Sequence, residues 1–268
     1  MDLDLVEKNC TSSIFDLLEL HGIGHSGGSL SVLQVLISLY FEIANVDSTN
    51  PKWPQRDRIV LSKAHATEAM YAVLAEKGYF EKTRFSEYLR LGSDIQGHVE
   101  ISTPGVEYSG GALGQGITFA CGLAYAAKMR QETHKIYAVL GDGECHEGSV
   151  WEAAMFASHY KLDNLFIVID NNHYADHGDV DEMMNLQPFE ERWEAFGWET
   201  KFIEEGNKVS SISDALRGFE TEDKPKCVIA NTVKNYGVPM WEEKHLHQVA
   251  GDLLTEGVKQ GRRLLHAR

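Results

Sequence analysis

The chain has 268 residues, 43% hydrophobic and 24% charged, an ordinary globular composition that excludes wholesale disorder. With 25 Lys and Arg against 40 Asp and Glu, the formal charge is −15, a surface that repels nucleic-acid backbones and anionic lipid headgroups. The four cysteines (Cys10, Cys121, Cys145 and Cys227) form no CxxC pair, which argues against a disulfide framework and a structural zinc site. A small phosphorylated ligand stays compatible with the charge if a metal ion or a helix N-terminus offsets it locally.

In chain order, residues 1–20 carry Leu3, Val6, Cys10, Ile14, Leu17 and Leu18 at helical spacing, which predicts an amphipathic first helix. The glycine-rich stretch 21–28 is expected to be irregular. Residues 30–45 are apolar nearly all round and predict a buried helix. This longest apolar stretch contains polar residues and is shorter than the roughly 20 residues that cross a bilayer. No secretory signal opens the chain, so a soluble, cytoplasmic protein is expected.

A short strand is expected at 58–62, a helix at 64–78 and a charged helix at about 81–91. Residues 92–110 form a long loop, a length more often functional than idle. A Gly- and Ala-rich helix should span about 111–132. The second half alternates regularly, with strands at 136–140, 165–169, 201–203 and 227–230 and helices at 149–161, 189–196 and 209–219. Strands that are apolar on both faces and alternate with helices imply a doubly wound α/β fold, a parallel sheet with helices on both faces.

Ligands of such sheets bind beyond the carboxyl ends of the strands. Two strands run into polar turns there, one at GDGE (141–144) and one at DNN (170–172), and these ends are expected side by side. A lone GDG reads as a strand-to-helix turn with an Asp cap. Asp142 and Asn172, each just past a strand, would instead supply hard oxygen ligands that suit Mg²⁺ and a diphosphate. The glycines beside Asp142 let backbone approach that group.

GDG followed by 28 residues and Asn172 resembles the thiamine diphosphate-binding signature. The stretch GDGECHEGSVWEAAMFASHYKLDNLFIVIDNN (141–172) is similar to the transketolase family. So are HSGGSL (25–30), NPKWPQRDR (50–58), LSKAH (61–65), QGH (96–98) and GGALGQG (110–116), in the family's order between about residues 11 and 250.

The resemblance implies that Asp142, Asn172 and the backbone carbonyl of Tyr174 hold Mg²⁺ against the diphosphate. Gly111, Gly143 and Leu113 would approach the cofactor, and His65 would touch it. His25, His65, His98 and His247 match active-site histidines that bind sugar hydroxyls and move protons; His245 is the alternative to His247. Glu147 matches the family's interface glutamate, which pairs with a carboxylate of the facing domain.

The length resembles the family's diphosphate-binding domain alone, a single domain over 1–268 with an N-terminal helical segment and a C-terminal tail. The pyrimidine-binding domain, with its activating glutamate, would then lie on a partner chain in an α₂β₂ assembly. The expected activity is transfer of a two-carbon ketol unit from a ketose to an aldose, with phosphorylated sugars as default substrates. Two alternatives are the α subunit of a 2-oxo acid dehydrogenase and a non-catalytic paralogue.

The sequence also departs from the family. Ser26 stands where proline is usual, Ala64 replaces a glycine, and Thr67 and Glu68 replace small or apolar residues. Asp176 replaces an apolar residue expected near the cofactor rings, where a buried carboxylate is costly unless paired. It signals either an altered substrate pocket or partner contact, or a side chain turned to solvent. Trp193 and Trp198 are expected to be packing residues.

Overall fold

The computed structural model describes residues 2–267. Helix α1 (Leu3–His21) begins at Asp2, whose carboxylate accepts from Leu5 N (3.2 Å), and ends at Gly22 in a left-handed conformation (φ +68°). Val6, Cys10, Ile14, Leu17 and Leu18 are buried, as their spacing predicts. The glycine-rich stretch is more ordered than expected: it contains β1 (Ile23–Gly24) and the first turn of α2 (Ser26–Ile37). Small residues are what permit this, because every residue of α2 is buried and its first turn packs without room for side chains.

Helix α2 widens into a π-helical turn at Ser38–Ile43. Ser26–Ile43 is long and apolar enough to cross a membrane by length and composition, but 83% of it is buried, packed between α1 and α3 (Thr67–Lys77). It is a core helix.

Strand β2 (Arg58–Leu61) precedes α3. The charged helix expected at 81–91 shrinks to a 3₁₀ segment, Lys82–Glu87, because Tyr88 leaves helical backbone space and Leu89 takes a left-handed conformation (φ +58°) that ends helical geometry. The long loop is tied down: Tyr71 OH donates to Gln96 O (2.9 Å), and Val99 N donates to Ala64 O (3.2 Å). Helix α4 (Gln115–Met129) starts later than the expected residue 111, since Gly114 at φ +78° lies outside helical space.

Then follow β3 (Ile136–Gly141), a 3₁₀ turn at Gly143–His146, α5 (Gly148–His159) and β4 (Leu165–Asn171). Two short helices, α6 (Val180–Met184) and α7 (Phe189–Ala195), lead to β5 (Glu199–Ile203), α8 (Val209–Arg217) and β6 (Lys226–Asn231). The chain finishes with α9 (Pro239–Glu242), β7 (Val249–Ala250) and α10 (Gly251–Ala267). Strand β7 pairs antiparallel with β1.

Strands β2, β3, β4, β6 and β5 lie side by side in that order, all parallel. Side chains alternate between two cores. Ile136, Ala138, Leu140, Leu165, Ile167 and Ile169 face α4, α5 and α7, whereas Tyr137, Val139, Phe166 and Val168 join the core of α1, α2 and α3. Both faces are therefore dry, as continuous apolar strands require. Each fully buried Val, Leu or Ile adds about 1.5–3 kcal/mol.

The tail expected at the C-terminus is instead α10, packed on α1. Gly257 lies against the Trp241 indole and Gly261 against the Phe15 ring, so a glycine stripe lets the helix approach closely. Trp193 and Trp198 pack in the second core, and Trp198 Nε1 donates to Ala154 O (3.1 Å).

Candidate functional site

Strands β3 and β4 are neighbours with Gly141 opposite Asp170, so Asp142 and Asn172 emerge together at the carboxyl edge of the sheet. The β2 and β6 ends open onto the same edge and bring Lys63, His65 and Lys234. They enclose a cavity of about 510 Å³, within the range of small-molecule sites. The site residues that the resemblance implies line it, namely His25, His65, His98, His247, Gly111, Leu113, Asp142, Gly143, Glu147, Asn172 and Tyr174, whereas the alternative His245 does not.

The cavity floor is polar and well tied. Asp170, fully buried, accepts from Lys63 Nζ, Ser31 Oγ (2.6 Å), Thr232 Oγ1 and Asn172 Nδ2 (3.2 Å). Asp142 accepts from Gly143 N (2.7 Å) and from His173 N. Burial, then the neighbouring Asp170 charge, push the Asp142 carboxyl up to about 6. His173 is held at φ +67°, an unusual conformation for a residue with a side chain. The turn it makes directs Tyr174 N to Asn172 Oδ1 (3.2 Å).

Among the described residues, no three His, Cys, Asp or Glu side chains gather as a metal site. The donors at this edge are instead a carboxylate, an amide oxygen and a carbonyl, which suit a hard cation such as Mg²⁺. The Tyr174 carbonyl also accepts from Lys234 Nζ (3.1 Å), which reaches Ala175 O as well (2.6 Å). Burial, then the neighbouring Lys63, push the Lys234 ammonium down to about 8. Two buried ammonium groups stand beside the Asp142 turn, Lys63 paired with Asp170 and Lys234 bonded to two carbonyls. Room exists at Gly111, where a Cβ would meet nothing within 4 Å, whereas one on Gly143 would press on Ala175 at 3.0 Å.

The four histidines gather on one wall. His25 lies 5.5 Å from His65, 6.0 Å from His98 and 5.4 Å from His247, ring centre to ring centre. His65 and His247 are 5.1 Å apart. Of the two C-terminal candidates, His247 joins the cluster, whereas His245 stacks on Tyr174 at 3.6 Å. Burial keeps His25 and His65 below the ordinary imidazole range and pushes His247 down to about 4, so all three are neutral near pH 7. Gln248 Nε2 donates to His25 Nε2 (2.6 Å).

Asp176 combines the two expected alternatives. It lines the cavity, yet its side chain is 58% exposed and sits 3.6 Å from His177 Nδ1. Glu147 is exposed on the cavity rim.

Sequence reasoning misses several members. Lys63 lies inside the LSKAH block and Glu144 inside GDGE, but neither position by itself signals a role. Glu144 is buried and accepts from Gly114 N (2.8 Å), Gly141 N (3.1 Å) and Ser62 Oγ, so it joins the β2, β3 and α4 loops. Lys234 carries no signal, since a lone lysine after β6 looks like any surface lysine.

Comparison with known proteins points one way. Residues 8–266 match the family described as transketolase, thiamine diphosphate binding domain. The chain is 41% identical over 224 residues to the 6-deoxy-6-sulfo-D-fructose transketolase subunit SqwG of Clostridium sp. strain MSTE9, covering 83% of this chain and 82% of that protein. It is 39% identical over 241 residues to a subunit of the apulose-4-phosphate transketolase of Phocaeicola vulgatus, covering 90% and 85%. The transketolase structure of Campylobacter jejuni superimposes with a TM-score of 0.88 at 32% identity, over 98% of this chain and 43% of that one. That of Leishmania mexicana gives 0.90 at 26% identity, over 99% and 41%.

Proposed function

The chain belongs to the transketolase family, and from that premise we propose that it forms the diphosphate-binding half of a split, cytoplasmic enzyme. The enzyme moves a two-carbon ketol unit from a ketose to an aldose. The relatives of similar length are named as transketolase subunits, which favours this reading over a 2-oxo acid dehydrogenase or a non-catalytic paralogue. The observation that carries it is the meeting of the Asp142–Asn172 edge and the four-histidine wall in one cavity.

Asp142, Asn172 and the Tyr174 carbonyl would hold Mg²⁺, with Lys63 and Lys234 beside the diphosphate. Gly111 would leave space for the cofactor, the Gly143 backbone would approach it, and Leu113 and His65 would pack against it. Thiamine diphosphate, when bound, supplies the electron sink for carbon–carbon bond cleavage and formation. The protein's part is to orient the sugar and handle its protons. His25, His65, His98 and His247, clustered on one wall, would face the hydroxyl-bearing end of the sugar. Held neutral near pH 7, His25, His65 and His247 can each accept a proton at one ring nitrogen and donate from the other.

A second chain carrying the pyrimidine-binding domain completes the site in an α₂β₂ assembly. Exposed Glu147 on the rim is free to meet a carboxylate there, the two sharing a proton. The substrates are sugars or sugar phosphates.

The test is capture of the tagged chain from its native lysate, with thiamine diphosphate and Mg²⁺ measured in the eluate. The expected result is a second chain of similar size with stoichiometric cofactor, and loss of both cofactor and metal in Asp142→Ala. Capture of this chain alone, cofactor-free even after both are added, overturns the reading.

A further inference from the structure

Glu68 is the most unusual side chain near the site. It is fully buried (0% exposed), and each of its carboxylate oxygens has two hydrogen-bond donors. Oε1 accepts from His25 N (3.0 Å) and Tyr88 OH (3.0 Å). Oε2 accepts from Ser29 Oγ (2.7 Å) and Thr67 Oγ1 (3.4 Å). An isolated buried carboxylate is costly, and here neutral donors from three segments offset that cost.

Its location explains the rest. Glu68 lies in the first turn of α3 and bonds the residue preceding α2, and neither helix has a side-chain N-cap of its own. One carboxylate therefore bonds the N-terminus of α2 while standing in the first turn of α3, two places where negative charge is stabilised. The fold has made room for it, because a Cβ on Gly24 would overlap the Glu68 carboxylate. A structural glutamate need not end on the backbone of a cavity-lining histidine. This one does.

We propose that Glu68 is a positioning residue for His25, fixing where the imidazole stands among the other histidines of the cavity. The inference rests on the functional reading above for the role of His25. Besides Glu68 from α3, the groups facing His25 are His65 from the β2–α3 turn and His98 from the long loop. Asp176 from the segment after β4, and His247 and Gln248 from the segment before β7, complete its surroundings. Burial holds the His25 proton affinity down, and the Glu68 charge opposes that effect.

The experiment compares wild type, Glu68→Gln, His25→Asn and the double variant, each assembled with the partner subunit. Glu68→Gln should leave thiamine diphosphate affinity within twofold, lower kcat/KM and move its acid limb to lower pH. The loss should vanish in the His25→Asn background, a coupling of about tenfold. Histidine-ring ¹³C NMR of the chain should show His25 titrating at lower pH in Glu68→Gln. Additive losses with an unmoved His25 titration would overturn the proposal and leave Glu68 a folding residue. If Glu68→Gln does not fold, Tyr88→Phe removes one donor from the same oxygen. Tyr88→Phe must then show the same dependence on His25, and additivity there overturns the proposal equally. A wild-type complex that transfers no ketol unit would defeat the functional reading alone, since the His25 titration still reports on Glu68.

Discussion

Lys63 and Asp170 form an ion pair from which water is excluded, their side chains 2% and 0% exposed beneath the cavity. Asp170 also gathers Ser31, Thr232 and Asn172, so the pair joins β2, α2, β4 and the end of β6. Removing one partner strands a buried ammonium. Asp170→Ala should therefore destabilise the chain by about 3–5 kcal/mol. Urea unfolding near neutral pH measures this, and a loss below about 1 kcal/mol would mean that the pair does not hold the floor together.

Gly257→Ala tests whether α10 belongs to the folded core. The added methyl would overlap the Trp241 indole, a fully buried ring whose Nε1 donates to Leu253 O (3.0 Å). Overpacking of this kind costs about 1–3 kcal/mol. The expected signature is a lower melting temperature with red-shifted tryptophan emission; unchanged values would place α10 outside the cooperative unit.

The histidine wall makes the fold acid-sensitive. An unfolded imidazole takes up its proton near 6.5, whereas folded His247 resists protonation until about 4. The sign follows: its contribution is complete above about 6.5 and is lost as pH falls toward 4. Wild type should lose more stability than His247→Gln on going from about pH 7 to about pH 5. Parallel shifts in the urea midpoints of the two proteins would rule this out.

Asp176 is poised to act on substrate charge. Its exposed carboxylate stands at the cavity mouth close enough to influence His25, His247 and Lys234. Asp176→Ile should change the ranking of donor sugars and lower KM for anionic ones most, by several-fold at low salt. An unchanged donor profile would show that the side chain only faces water.

Much of the site is legible in sequence because its residues fall in short blocks with chemical logic. The GDG turn, the Asn172 turn and three of the four histidines sit in such blocks, and the structure brings them together. His247 is harder: its context, HLHQVAG, matches the family poorly and leaves His245 as an alternative, and in the structure His247 joins the other histidines while His245 stacks on Tyr174. Glu68 is visible as a departure, but a glutamate at the start of a helix looks like an ordinary solvated cap. That its carboxylate turns inward depends on Tyr88 and Ser29, which lie 20 and 39 positions away.

The sequence by itself determined the parallel α/β sheet and the edge where Asp142 and Asn172 emerge. Strand periodicity, apolar runs and glycine turns are local properties, and parallel strands open their ligand sites at one end. Tertiary structure alone decided the fate of the marginal segments. The 81–91 stretch lost its helix where Leu89 turns left-handed, while the expected tail became α10, in which two glycines fit against Trp241 and Phe15. It also decided which lysines and carboxylates are buried together under the cavity. Burial and partnership of charge depend on chain segments far apart in sequence, and no local pattern encodes them.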